Sequence, residues 1–104
     1  MMKRVIIESP YAGDIDNNVG YARLCLKDSL MRGEAPIASH LLHTQVLDDT
    51  IKEEREMGIK AGLKWLRVAE LMAVYTDLGI SQGMKSAINE ASIEGIQIEY
   101  RTIL

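Results

Sequence analysis

Two short segments of the sequence combine residue types that bind phosphate and other anions. Tyr11-Ala12-Gly13-Asp14 joins an aromatic ring, a glycine and a carboxylate, and Asn18 follows it. Ser81-Gln82-Gly83-Met84 supplies a hydroxyl and a second glycine. Glycine allows close backbone approach to a ligand, and a helix that begins after such a turn presents free N–H groups. Each segment therefore predicts half of an anion site, although simple capping by Asp14 or Ser81 explains the same residues without a ligand.

Two histidines raise the alternative of a metal site. His40 and His43 stand three residues apart, and Asp48 and Asp49 follow them. The pattern lacks both a helical HxxxH spacing and a further ligand, and Cys25 is the chain's one cysteine. We therefore predict no metal and no cofactor, and we expect His40 to hydrogen-bond a ligand or the backbone.

Carboxylates near the same segments offer a second chemistry. Glu8, Asp48, Asp49 and Asp77 each follow an apolar run or its turn. A pair of them is suited to glycosyl transfer, in which an oxocarbenium-like centre needs a nucleophile and an acid. Surface acids are common, however, so this pattern alone identifies no catalytic residue.

Tyr11 is placed to stack on a planar ligand.

Four short runs read as strands that position these residues. Two are continuous apolar runs typical of strands buried on both faces, and Val5-Ile6-Ile7 is predicted to be the central one. A third is brief and begins beside a proline, and the last alternates. The predicted strands are Val5–Ile7, Ala35–Ala38, Leu71–Tyr75 and Ile96–Tyr100.

Three amphipathic helices are predicted between the strands, each ended by a glycine or a charged turn. Thr50 and Glu53 form a capping-box pattern for the second helix, and Ser81 is the predicted cap of the third. Trp65 and Tyr75 are expected in the core or at a subunit interface. The predicted inner faces are Val19, Ala22, Leu26 and Leu30; Ile51, Ile59, Leu63 and Leu66; and Met84, Ala87, Ile88 and Ala91.

The alternation of strands and helices predicts an α/β fold: a small doubly wound parallel sheet, flavodoxin- or Rossmann-like, with helices on both faces. Residues 1–104 are expected to form one domain. Ligands of such sheets bind at the carboxyl ends of the strands. Three segments should therefore meet at one edge, namely residues 8–18, 39–49 and 77–84.

Composition excludes several classes of protein. The net charge is −3 with acids and bases interspersed, so we predict no nucleic-acid partner. No apolar run approaches 18 residues, so we expect no transmembrane helix and no membrane partner. The apolar stretch in the start MMKRVIIESP is too short for a secretion signal, so we expect a cytoplasmic protein. A core of this size is modest, which favours a homo-oligomer.

Four motifs, in order along the chain, carry a resemblance: Ser9-Pro10-Tyr11-Ala12-Gly13-Asp14 with Asn18; Ala38-Ser39-His40-Leu41-Leu42 with Leu47-Asp48-Asp49; Glu53-Glu54-Arg55 with Gly58; and Ser81-x-Gly83-Met84 with Ala91 and Gly95. They resemble the small proteins of the nucleoside 2-deoxyribosyltransferase-like superfamily, many of them from phages and bacteria. The resemblance spans nearly the whole chain and is more specific for the fold than for an activity.

The resemblance implies a nucleoside or nucleotide ligand and cleavage of its N-glycosidic bond through a glutamate on the last long helix. Aligning on Asp77 puts Gly83 at that position, and aligning on the Ser81 motif puts Ala87 there. Neither is an acid, and Glu90 lies one turn further on, where we expect it too deep or on the wrong side.

Two functions follow as expectations. The first is a nucleoside- or nucleotide-binding protein that retains N-glycosidase or deoxyribosyltransferase activity. The alternative is a noncatalytic sensor, sequestering protein or interaction module, which the missing glutamate favours. Both place a small ligand against the same predicted residues, with no catalytic residue assigned: Tyr11, Gly13, Asp14, Asn18, His40, Asp77, Ser81 and Gly83.

Overall fold

A computed structural model describes residues 2–104, which form one four-stranded parallel sheet flanked by helices. The strands lie in the order β2-β1-β3-β4, so β1 is interior, as predicted. The elements in chain order are β1 (Arg4–Glu8), α1 (Ile15–Met31), β2 (Ala35–Ala38), two 3₁₀ turns (Ser39–Leu41 and His43–Gln45), α2 (Lys52–Leu66), β3 (Leu71–Tyr75), α3 (Gln82–Ile93) and β4 (Gln97–Arg101).

The doubly wound architecture is confirmed by the packing on the two faces of the sheet. Alternate residues of a strand point to opposite faces, so Val5 and Ile7 meet α1 while Ile6 meets the other side. There, Leu66 from α2 and Met84 from α3 complete a second apolar cluster. The predicted strand Leu71–Tyr75 has the same bounds in the structure, and all five of its residues are buried.

The buried face of α1 agrees only in part with the predicted one: Ala22 is buried and Leu26 packs against the core, as predicted. Leu30 is 52% exposed, whereas Tyr21, Cys25 and Ser29 are buried. Polar contacts explain this difference between the predicted and the observed buried face. The Ser29 hydroxyl donates to Glu34 at 2.7 Å, and the Tyr21 hydroxyl donates to Asp77 at 2.7 Å. A search for apolar spacing alone misses residues that are buried through their hydrogen bonds.

The start of α2 also differs from the prediction. Thr50 does not cap the helix; Ile51 is the N-cap residue and makes no side-chain capping bond. The Thr50 hydroxyl donates to the Asp48 carboxylate at 2.6 Å instead. Of the predicted inner face of α2, Leu66 is buried and Leu63 half-buried, while Ile51 and Ile59 are exposed. The helix therefore contacts the sheet mainly through its last turns.

The two large aromatic residues expected in the core or at an interface have different environments. Tyr75 is fully buried on the α1 face. Trp65 is 53% exposed near the end of α2. The structure thus confirms the core position of Tyr75 and leaves the Trp65 ring largely at the surface.

Candidate functional site

A cleft of about 610 Å³ opens at the carboxyl end of β1. All three segments predicted to meet at this edge contribute to its walls, together with the exposed side of α2 and the first two turns of α3. Four of the predicted ligand-binding residues line it: Tyr11, His40, Ser81 and Gly83. Further lining side chains include Glu8, Asp49, Arg55, Gln82, Asn89 and Glu90.

Three other predicted residues, Gly13, Asp14 and Asn18, hold the loop after β1 and do not themselves line the cleft. The Asn18 amide donates to the carbonyls of Tyr11 at 2.9 Å and Ala12 at 3.1 Å. Gly13 has φ +98°, a conformation that favours glycine. Asp14 caps α1 by accepting the Asn17 N–H at 3.3 Å. These residues shape the loop that presents Tyr11 to the cleft.

Tyr11 and His40 stack on each other at the edge of the cleft. Their ring centroids lie 5.2 Å apart with an interplanar angle of 21°, a stacked arrangement. Burial lowers the pKa of His40, and the negative charge of Asp49, which would raise that pKa, offsets only part of the effect. The imidazole is therefore mainly neutral at pH 7, so it offers a planar face and one N–H donor.

Glu8 is the most unusual group of the cleft. It ends β1 immediately after buried Ile7, and the residue is only 6% exposed. No described residue donates a hydrogen bond to its carboxyl group, and His40 Nε2 is 4.0 Å from Oε1. Burial raises the pKa of Glu8 to about 8, so the side chain is largely protonated at neutral pH.

The N-terminus of α3 forms the polar end of the cleft. Ser81 caps the helix, as predicted, by accepting the Met84 N–H at 3.3 Å. The N–H groups of Gln82 and Gly83 belong to the first turn, which has no intrahelical acceptors. A Cβ built at Gly83 would have Ser81 Oγ, at 4.0 Å, as its nearest contact, so the space above this turn is open.

Asp77 lies outside the set of residues that line the cleft. Its carboxylate accepts from the Tyr21 hydroxyl at 2.7 Å and from the backbone N–H groups of Ile103 at 3.0 Å and Leu104 at 2.9 Å. Burial would raise the pKa of Asp77, but these hydrogen bonds hold it below its usual value. Asp77, which was predicted to contact a ligand, thus links the segment after β4 to α1 through its hydrogen bonds.

An apolar recess of about 130 Å³ adjoins the cleft beneath α2. Its floor is the sheet face at Ile6, Ile37 and Met72, and Leu63 closes it from α2. The cleft and the recess share several wall residues: Glu8, His40, Asp49, Arg55, Ile59 and Leu63. The two cavities therefore form one continuous site with a polar and an apolar part.

Sequence reasoning overlooked several lining residues. The sequence gives one indication that Glu8 belongs to the site, namely its position directly after a buried run at the carboxyl end of a strand. That position alone does not distinguish it from the other acids near the site. Arg55 belongs to a motif of the resemblance but was given no role at the site, and Glu90, expected too deep or on the wrong side of α3, lines the cleft. Among residues 2–104, no group of three or more His, Cys, Asp or Glu side chains is arranged to hold a metal ion.

The sheet, its flanking helices and the cleft at its carboxyl edge define an α/β protein of deoxyribosyltransferase-like fold. A solved 2-deoxyribosyltransferase from the psychrotolerant bacterium Bacillus psychrosaccharolyticus matches with a TM-score of 0.76 and 12% identity, over 95% of this chain and 72% of that one. The chain belongs to the family DUF7768, a domain of unknown function, whose model matches residues 3–101. No curated protein matches the chain significantly. None of the described helices is long and apolar enough to span a bilayer.

Proposed function

We propose that the cleft binds a nucleoside or a nucleoside monophosphate. One observation carries the proposal: a stacked pair of rings, Tyr11 and His40, and a helix N-terminus, Ser81 to Gly83, line the same cleft. Aromatic faces suit a nucleobase, and unpaired N–H groups at a helix start suit a phosphate or sugar hydroxyl. The fold shared with a protein described as a 2-deoxyribosyltransferase supports the same ligand class.

The charges of the cleft are compatible with such a ligand. Arg55 and Asp49 line the cleft with opposite charges, and Glu8 is kept mainly neutral by burial. A phosphate at the start of α3 would therefore meet the positive end of the helix dipole rather than a row of carboxylates. Glu90 lies further along the same helix, where its negative charge disfavours a phosphate but can approach a sugar.

Cleavage of the N-glycosidic bond is a second candidate, favoured by the carboxyl groups of Glu8 and Glu90 on the same cleft. Gly83 and Ala87, the positions at which the resemblance expects a glutamate, also line the cleft. A catalytic acid or nucleophile would thus have to come from Glu8, Asp49 or Glu90, the carboxyl groups that line the cleft. Binding without turnover is the simpler outcome, because none of these carboxyl groups occupies the expected position.

A thermal-shift screen with nucleosides, nucleoside monophosphates and NAD-related nucleotides tests the proposal. A ligand present at 100 times its Kd should stabilise the protein by about 2.7 kcal/mol. Chromatography of the same mixtures for released base then separates binding from turnover. If no nucleoside or nucleotide raises the melting temperature at millimolar concentration, the proposed function is wrong.

Gly83→Val should abolish binding of any ligand found in the screen, because the branched side chain would occupy the open space at the start of α3. Gly83 is helical and its φ is outside the left-handed region, so the variant should fold normally. Gly20→Val is the matched control: it changes a helical glycine that has nothing within 4 Å of its built Cβ and does not line the cleft. Equal affinity in both variants, with unchanged circular dichroism, would place the ligand elsewhere.

A further inference from the structure

The recess beneath α2 has the size of one small ring. Its volume of about 130 Å³ is close to that of an apolar cavity of about 150 Å³ that binds benzene. Gly58 and Gly62 lie on the wall formed by α2, so no side chain from these two positions fills the space. A single six-membered ring would fill this volume, whereas the second ring of a purine would have to extend out of the recess into the cleft.

Glu8 stands where the apolar recess meets the polar cleft. It shares a sheet face with Ile6, which forms the recess floor, and it lines both cavities. A carboxyl group this deeply buried normally has a hydrogen-bond partner. Since no described residue donates to it and it lines both cavities, the carboxyl group is free to pair with a ligand there.

We propose that the recess holds the base of a pyrimidine nucleoside and that the Glu8 carboxyl group pairs with the amide edge of that base. This inference rests on the proposed function and specifies its ligand class. The base would then contact His40, the ring of the stacked pair that lines both cavities, and the sugar would extend past Tyr11 into the cleft, toward the polar end formed by Ser81 and Gly83.

A protonated carboxyl group carries one donor and one acceptor side by side. Its O–H can donate to a carbonyl of uracil while its C=O accepts the ring N3–H, and with cytosine it donates to N3 and accepts from the amino group. The raised pKa of Glu8, about 8, keeps this donor in place at neutral pH. The titratable or charged side chains that share the two cavities with it are His40, His43, Asp49, Glu54, Arg55 and Glu90.

Calorimetry with uridine, cytidine, adenosine and N3-methyluridine at pH 7 tests the pairing. Wild-type protein should bind uridine and cytidine. It should bind N3-methyluridine at least about tenfold more weakly, because the methyl group removes the ring donor and blocks the acceptor. This comparison needs no variant, so it remains informative even if substitutions at Glu8 perturb folding. Adenosine should also bind more weakly, since its base exceeds the recess.

Variants test the residue and the recess separately. Glu8→Gln keeps a donor beside an acceptor and should retain uridine affinity within about threefold, whereas Glu8→Leu should lose about tenfold or more. Gly62→Leu should fill the recess and abolish binding, while Gly20→Leu, on α1 away from both cavities, should not change it.

The outcomes distinguish this inference from the proposed function. If adenosine binds as tightly as uridine and neither Glu8→Leu nor Gly62→Leu changes the affinity, the inference is overturned while nucleoside binding stands. Equal affinity for uridine and N3-methyluridine overturns the pairing with Glu8. If none of these nucleosides binds, both the inference and the proposed function are wrong.

Discussion

Glu8 shows how one position in a fold can change the chemistry of an ordinary side chain. An exposed glutamate is ionised at neutral pH, but Glu8, at the end of β1, is only 6% exposed. Desolvation there penalises the charged form. Among residues 2–104, the basic group that approaches the carboxyl group is His40, whose own pKa is lowered by burial, so it offers little compensating charge. The side chain thus acts as a neutral acid.

The stability of the protein should consequently fall as pH rises, through Glu8. Its pKa in the folded state, about 8, lies above the usual value of 4.5, so the folded protein binds more protons between these values. Relative to Glu8→Gln, the wild-type free energy of unfolding should decline as pH rises from about 4.5 to 8, by about 1.4 kcal/mol per pH unit at most.

Urea denaturation of both proteins at several pH values measures this difference. Comparing the two removes the contributions of the neighbouring His40, Asp49, Arg55 and Glu90, of which His40 has the opposite slope because its lowered pKa makes the unfolded chain bind more protons. A difference between the variants that does not change with pH would show that Glu8 ionises normally.

At the scale of the elements, β4 is an edge strand joined to the rest of the sheet by a buried ion pair. Arg101, at the end of β4, donates to both carboxylate oxygens of Glu34 at 2.7 and 2.8 Å and to Glu99 at 2.6 Å. Its side chain is only 3% exposed and also donates to the Tyr75 hydroxyl. This network connects β4 with β3 and with the residue preceding β2.

Arg101→Met should destabilise the fold by about 3 to 5 kcal/mol, because it leaves Glu34 partly buried without its cation. The double variant Glu34→Gln, Arg101→Met should recover much of that loss, since both charges are then removed. Urea denaturation at pH 7 measures both effects. A loss below about 1 kcal/mol in the single variant would mean that solvent screens the pair as it does at an exposed site.

For the whole molecule, the described residues leave many large apolar side chains at the surface. Leu24 on α1, Met57 and Trp65 on α2, and Ile93 at the end of α3 are each more than half exposed. A chain of 104 residues builds only a modest core, so covering such residues in an assembly would add burial. Self-association therefore remains our prediction for this protein.

Light scattering at tens of micromolar protein should give the mass of a homo-oligomer. Trp65→Glu should lower this mass toward that of the monomer, because it places a charge at one of the exposed apolar residues that self-association would cover. The circular dichroism should stay unchanged. A monomer mass for the wild-type protein under these conditions would contradict the prediction of self-association.

The sequence by itself determined the features that depend on neighbours along the chain. The runs Val5–Ile7 and Leu71–Tyr75 are strands because β-branched and apolar residues follow one another there, and Ser81 caps α3 because its hydroxyl lies three residues before a free N–H. The parallel sheet followed from the alternation of these elements, and with it the edge at which a ligand site was expected.

Only the tertiary structure decided which side chains act at that edge. Asp77 and Glu8 both come at the ends of apolar strands. Asp77 accepts hydrogen bonds from Tyr21 and from the segment after β4, whereas none of the described residues donates a hydrogen bond to the Glu8 carboxyl group. The distance between α2 and the sheet likewise created the recess, which no helical periodicity predicts. Desolvation and hydrogen bonding depend on groups distant in sequence, so local patterns locate a site without assigning the roles of its residues.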